Sequence, residues 1–164
     1  MEKKYILTGD QAFRKLRRMA FEILENNPKE THLILVGIRD SGYTLARRLQ
    51  ALLAEISPIR TSLVSLTIDK RQPADAILEP ALKLEGEVVI LVDDVANSGR
   101  TMLYALKPFL DTHPRKIQTL VLVERSHKTY PIHPDYVGHR LATTLSDHVT
   151  VEVAGEEILG AYLG

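Results

Sequence analysis

Nothing in this chain can form a thiolate or a disulfide. Its 164 residues include no cysteine, which excludes thiol catalysis, zinc–thiolate sites and a disulfide framework, and fits a reducing compartment. There is no surplus of charge either, since 21 Lys and Arg offset 21 Asp and Glu. Proteins that bind duplex nucleic acid usually carry a clear basic excess, so such binding would have to rest on a local patch. No stretch approaches the roughly 20 apolar residues that cross a bilayer, and the apolar run near the N-terminus is too short for a secretory signal. These absences point to a soluble, cytoplasmic protein. With no internal repeat, low-complexity tract or linker, one domain is expected over residues 1–164. At that length folding buries roughly 70% of the unfolded chain's surface, and a hydrophobic content of 45% supplies a core without a structural metal.

What is present alternates between helical and extended patterns. Thr8 and Gln11 read as a capping box. Behind them Ala12, Phe13, Leu16, Met19, Ala20, Ile23 and Leu24 fall at helical spacing, which predicts an amphipathic helix ending near Asn26-Asn27-Pro28. Leu33 to Val36 reads as a short buried strand interrupted by Gly37. A second helix is expected from Ser41-Gly42 through Leu45, Leu49, Leu52 and Leu53 to Ser57-Pro58. Further strands are expected at Thr61–Ile68, Val88–Val92 (the central one), Thr119–Val123 and His148–Val153, the last closing the chain. A helix is expected from Gly99 to Leu110, and the charged, proline-bearing stretch 69–80 reads as an exposed excursion or lid. The fold class is therefore α/β, a mainly parallel central sheet with helices on both faces.

The central strand runs straight into two like charges. Val88 to Val92 is followed by Asp93 and Asp94, then by the small turn Ala96-Asn97-Ser98-Gly99. Ligands of parallel α/β sheets gather at the carboxyl ends of the strands. There a turn can aim backbone N–H groups at a phosphate, and a helix dipole favours the negative charge. Gly99 allows close backbone approach, and Ser98 and Thr101 offer hydroxyls. Paired carboxylates would repel a phosphate but suit a neighbouring polyhydroxyl group, such as a ribose whose hydroxyls donate to them. For an arbitrary pair of aspartates a helix cap and a solvated side chain is the commoner outcome; the whole string reverses those odds. No Gly-Lys-Ser/Thr follows, so this is not a Walker A loop and ATP hydrolysis is disfavoured.

VVILVDDVANSGRT, residues 88–101, resembles the phosphoribosyl pyrophosphate (PRPP) signature of type I phosphoribosyltransferases. The resemblance implies that Asp93 and Asp94 bind the ribose hydroxyls. It also implies that the 95–101 loop (Val95, Ala96, Asn97, Ser98, Gly99, Arg100 and Thr101) holds the 5′-phosphate. One strand-loop earlier, Arg39, Asp40, Ser41 and Gly42 occupy the place of the family's pyrophosphate loop, with Ser41 where a second basic residue is usual. In the lid, Lys70 or Arg71 would bring a cation to the leaving pyrophosphate. The stretch from Val121 to Gly138 resembles the base-side region of the bifunctional pyrimidine-operon attenuator/uracil phosphoribosyltransferases. By that analogy Arg125, Ser126, His127 and Val137 help form a base pocket. His127, His133 and His139 show no metal-ligand spacing.

The expected chemistry is Mg²⁺-dependent transfer of phosphoribose from PRPP to a nucleobase, uracil first, with Asp93, Asp94 and Arg39 as the catalytic set. Mg²⁺ would be held through PRPP; no protein ligand is assigned to it, and Asp93 and Asp94 are the candidates for contact. The resemblance also implies a homodimer. Two alternatives stand beside it. One is a purine base, since no aromatic residue sits at an obvious stacking position to decide. The other is a nucleotide-sensing, RNA-binding regulator of attenuation, motivated by the clusters Arg14-Lys15-Arg17-Arg18 and Arg47-Arg48. A solvated helix face explains such clusters more often, and the zero net charge counts against RNA.

Overall fold

The computed structural model describes residues 2–69, 76–142 and 147–164. Lys70 and Arg71, the expected lid cations, lie outside the described residues, as does most of the first half of the 69–80 stretch.

The chain opens with strand β1 (Lys4–Thr8) and helix α1 (Gly9–Asn26). Thr8 caps that helix as its sequence foretells: Gln11 N–H donates to the Thr8 hydroxyl at 3.2 Å, and the Gln11 side chain accepts Thr8 N–H at 2.9 Å. Then follow β2 (His32–Ile38), α2 (Ser41–Ile56) and β3 (Arg60–Thr67). The order continues with β4 (Ile77–Glu79), β5 (Val88–Ala96), α3 (Arg100–Ala105) and α4 (Lys107–Leu110). The rest is strand: β6 (Lys116–Arg125), β7 (Tyr136–Leu141), β8 (Val149–Ala154) and β9 (Glu157–Leu163).

Six strands form the main sheet in the order β4-β3-β2-β5-β6-β7. All pair in parallel except β4, which runs antiparallel along β3. Both faces are covered, and the side chains of each inner strand divide between them. Leu33, Leu35, Val88, Ile90 and Val92 pack with α1 and α2, whereas Ile34, Val36, Val89 and Leu91 pack with Met102, Ala105 and Phe109 of α3 and α4. Such two-sided burial is why these segments read as unbroken apolar runs. The expected α/β class holds.

Four expectations are corrected. The central strand does not stop at Val92 but continues through both aspartates to Ala96, because Asp93, Val95 and Ala96 keep pairing with Val121, Val123 and Glu124. The helix expected from Gly99 to Leu110 is two short ones, broken where Pro108 lacks the N–H that a continuous ladder needs. Within the 69–80 stretch, Ile77–Glu79 form the edge strand β4 instead of loop. The strand over His148–Val153 neither closes the chain nor joins the main sheet. As β8 it enters a separate antiparallel sheet, β1-β9-β8, whose Leu7, Val151 and Ala161 complete the core on the α1–α2 side.

Candidate active site

The carboxyl ends of β2, β5, β6 and β7 lie side by side, and the predicted residues 39–42, 93–101 and 125–127 fall along that edge, whereas Val137 sits near the amino end of β7. Residues 93–102 line a cleft of about 390 Å³ that is closed on one side by Val149 from the small sheet. The two aspartates are not equivalent there. Asp93 is only 2% exposed and its Oδ1 accepts Asp94 N–H at 2.9 Å. Asp94 is half-buried, and its Oδ1 accepts Val95 N–H at 2.8 Å. A strand can carry both because the ladder satisfies the backbone while the next amide in sequence steadies each carboxylate.

Two glycines set the backbone of this edge. At Gly42, in the first turn of α2, a Cβ would stand 2.7 Å from the Val92 carbonyl oxygen and 3.0 Å from Asp93 Cα. Only a glycine lets the helix start against the strand, and its N-terminal dipole then favours the Asp93 carboxylate. Gly99 has φ 87°, the left-handed region, and packs against Ile132. With α3 only six residues long, the cradle after β5 rests on local amides and hydroxyls more than on a helix dipole. Ser98 Oγ, for example, accepts Arg100 N–H at 3.3 Å.

The candidate pyrophosphate residues sit at the end of β2, outside the residues that line the cleft. Arg39 is exposed, its guanidinium 5.0 Å from the centre of the Tyr43 ring. Its N–H donates to the Leu66 carbonyl at 2.9 Å, and the Arg39–Asp40 peptide is cis. Asp40 precedes α2 without a side-chain cap bond, and Ser41 opens that helix.

The base-side candidates separate. Arg125 is buried, 5% exposed, and donates to Asn97 Oδ1 at 3.4 Å, which ties β6 to the phosphate-loop candidate. The N–H groups of Thr129 and Tyr130 both donate to the Ser98 carbonyl at 3.0 Å, a second tie between the same loops. Arg125 and Ser126 line a further cleft of about 350 Å³ with Glu124, Arg140, Leu141 and Ala142. His127 and Val137 do not line it. Val137 lies inside β7 paired with Val121, and Arg18 of α1 donates to the carbonyls of Val137 and Gly138, each at 3.0 Å. Burial and the nearby Lys15 hold the His139 imidazole below its usual range. Among the described residues no group of three His, Asp or Glu side chains gathers as a metal cage.

The basic clusters on α1 and α2 are largely engaged within the protein. Arg14 pairs with Asp10, Arg18 with Glu22 and Arg47 with Glu156, and Arg17 and Arg48 lie over Phe21 and Phe13. Sequence reasoning missed Met102 and Val149 in the first cleft and Glu124, Arg140, Leu141 and Ala142 in the second as lining residues.

A parallel sheet that ends on adjacent carboxylates, followed by a glycine-bearing loop in one cleft, defines a class of transferase. The chain belongs to the phosphoribosyltransferase family, whose phosphoribosyl transferase domain model matches residues 3–155. Among curated proteins it is similar to the bifunctional protein PyrR of Pelotomaculum thermopropionicum, 37% identical over 95% of this chain and 93% of that one. It is likewise similar to PyrR of Limosilactobacillus reuteri, 38% identical over 94% of this chain and 93% of that one. Among solved structures, the hypoxanthine phosphoribosyltransferase of Trypanosoma cruzi superposes with a TM-score of 0.80, covering 98% of this chain and 95% of the other at 16% identity. A hypoxanthine-guanine phosphoribosyltransferase of Bacillus anthracis gives a TM-score of 0.72 over 86% of this chain and 84% of the other, at 17% identity. Those two likenesses speak for the fold.

Proposed function

We propose that this protein transfers the phosphoribosyl group of PRPP to uracil, forming UMP and releasing pyrophosphate. The observation that carries the reading is a single cleft in which two adjacent carboxylates meet the amides and hydroxyls of residues 95–101. The choice of uracil rests on the pattern from Val121 to Gly138.

On this reading a uracil nitrogen attacks C1′ as the bond to the pyrophosphate oxygen breaks. Positive charge develops on the ribose ring while negative charge grows on the leaving group. Asp93 and Asp94 hold the ribose hydroxyls, and Asp93, buried against the first turn of α2, is the fixed member. Asp94, half-buried and facing the cleft, takes part in proton handling beside the base. Residues 95–101 hold the 5′-phosphate. Arg39, exposed at the end of β2, turns from Tyr43 to the pyrophosphate, and a lid cation, Lys70 or Arg71, joins it. Rate enhancement then comes from positioning and from electrostatic stabilisation of the leaving anion. The carboxylate oxygens of Asp93 and Asp94 would be the protein groups to hold Mg²⁺, a hard cation that prefers oxygen ligands, and the ion would supply neutralisation of charge on the leaving group. The same reading has residues 1–164 working as one domain in a cytoplasmic homodimer.

The test is pyrophosphate release by the purified protein with Mg²⁺ and PRPP, offered one nucleobase at a time, with Asp94→Asn alongside. Release should depend on uracil and fall by about a hundredfold or more in the variant. Release with no base at all would sink the transferase reading. A wild-type rate in Asp94→Asn would remove the role given to that carboxylate.

A further inference from the structure

We propose that Glu124 and Arg140 read the lactam edge of an oxo-nucleobase. That edge is an N–H next to a C=O, the pattern presented by uracil and hypoxanthine and reversed in cytosine and adenine. Both residues line the cleft of about 350 Å³ at the ends of β6 and β7, where they are direct cross-strand partners. Glu124 is also the cross-strand partner of Ala96, the last residue of β5. Neighbouring strands lie about 4.8 Å apart, so this cleft is one strand away from the loop that follows the paired aspartates. A nucleoside monophosphate with its ribose at Asp94 can therefore lay its base over β6 and β7. The proposal rests on the transferase reading only for that placement of the ribose.

The chemistry of the pair points to a ligand with one donor and one acceptor. Glu124 is 14% exposed and stands between two cations, Lys128 Nζ at 3.6 Å from one oxygen and Arg140 Nε at 3.4 Å from the other. Charge-assisted bonds usually close to about 2.7–2.9 Å, so neither cation has closed onto the carboxylate. Lys128 Nζ is buried and makes no hydrogen bond, which holds a positive charge behind Glu124. Arg140, by contrast, is 75% exposed and has room to turn its guanidinium toward the cleft. A carboxylate only accepts and a guanidinium only donates. Side by side they match an imide or lactam, with the base N–H given to Glu124 and its carbonyl oxygen taken by Arg140. An amino base offers an acceptor where Glu124 needs a donor, so the site would reject it.

The simpler role for Glu124 is to neutralise Lys128 and tether Arg140. That role predicts a loss of stability and no selectivity, so the two are separable. Calorimetric titration of the full chain with UMP, CMP, IMP, AMP and ribose 5-phosphate tests them, using wild type, Glu124→Gln and Arg140→Gln. Wild type should bind the oxo member of at least one pair, UMP over CMP or IMP over AMP, about tenfold or more tightly. Glu124→Gln, whose amide can also donate, should bring that ratio within about threefold, with ribose 5-phosphate affinity unchanged. Arg140→Gln should weaken the oxo nucleotide in the same selective way, which keeps the test decisive if the first variant does not fold. No oxo preference in wild type, an unchanged ratio in the variants, or a parallel loss for all five ligands would overturn the proposal. Oxo preference that collapses in the variants without any pyrophosphate release would instead sink the transferase reading alone. Preference for IMP would move the base and keep the reader.

Discussion

The two ends of the parallel sheet use polar residues in opposite ways. At the amino ends of the strands they bind one another at short range. His32 meets Glu87 at 3.1 Å and Ser62 at 2.8 Å. Asn27 joins Ile23, Gln118 and Lys116 at 2.8–2.9 Å, and Gln118 also accepts the Tyr136 hydroxyl, a phenol that burial pushes up to about 12. Arg115 grips Glu30 with two nitrogens. At the carboxyl ends, the aspartates accept amides from the next residue, Arg39 lies over Tyr43 of the helix that follows it, and Glu124 is held by cations at 3.4 and 3.6 Å. One end invests its polar groups in stability, whereas the other keeps them local and directed at clefts. Mutations should therefore divide: those at the amino ends change stability alone, and those at the carboxyl ends change binding and turnover.

The largest separation is expected at Asp94. If the carboxyl end is built for ligand, Asp94→Asn lowers turnover by about a hundredfold or more while the melting temperature stays within about 2 °C, the range of a substitution costing under about 0.5 kcal/mol. A melting temperature that falls steeply with activity would show that the carboxylate holds the fold, and the contrast between the ends would fail. The converse case is Asn27, 3% exposed. Asn27→Ala leaves Lys116, Gln118 and the Ile23 carbonyl each short of a partner, which costs about 1–3 kcal/mol. At about 2–4 °C per kcal/mol for a chain of this size, thermal unfolding should register it clearly. Uracil-dependent kcat and KM should not move.

Much of this division was legible in the sequence, and the rest was hidden for identifiable reasons. Residues 93–101 form a consecutive string, so their shared cleft could be read directly. The start of α1 was equally plain, because Thr8 and Gln11 report their capping bonds three residues apart. The length of β5 was not, since paired aspartates look like a strand end until the ladder to Val121 and Val123 is seen. Nor could the small sheet be foreseen. It pairs Lys4 with Leu163, nearly the whole chain apart, and Gly160 interrupts the alternation of β9. Val149 lines the cleft from that sheet, and Glu124 meets Arg140 only through the register of β6 and β7. Such partners carry no local spacing signal.

The smallest expected effect sharpens the comparison at the stable end. The hydrogen bonds from Arg115 hold the Glu30 carboxyl below its usual value, a partly desolvated position opposing the shift. A depressed folded-state pKa gives stability that is fully present above the unfolded value, near 4.5, and is lost as pH falls through the lowered one. Because the pair lies at the surface its contribution is small and screened by salt. Melting curves across about pH 3 to 7, a range that brackets the unfolded carboxyl value, should therefore show a steeper acid limb for wild type than for Glu30→Gln, and the difference should shrink at high salt. Curves that run parallel at low salt would mean that the bidentate contact adds nothing in solution. The stabilising role of the amino end would then rest on the buried Asn27 cluster, where water and salt cannot compete.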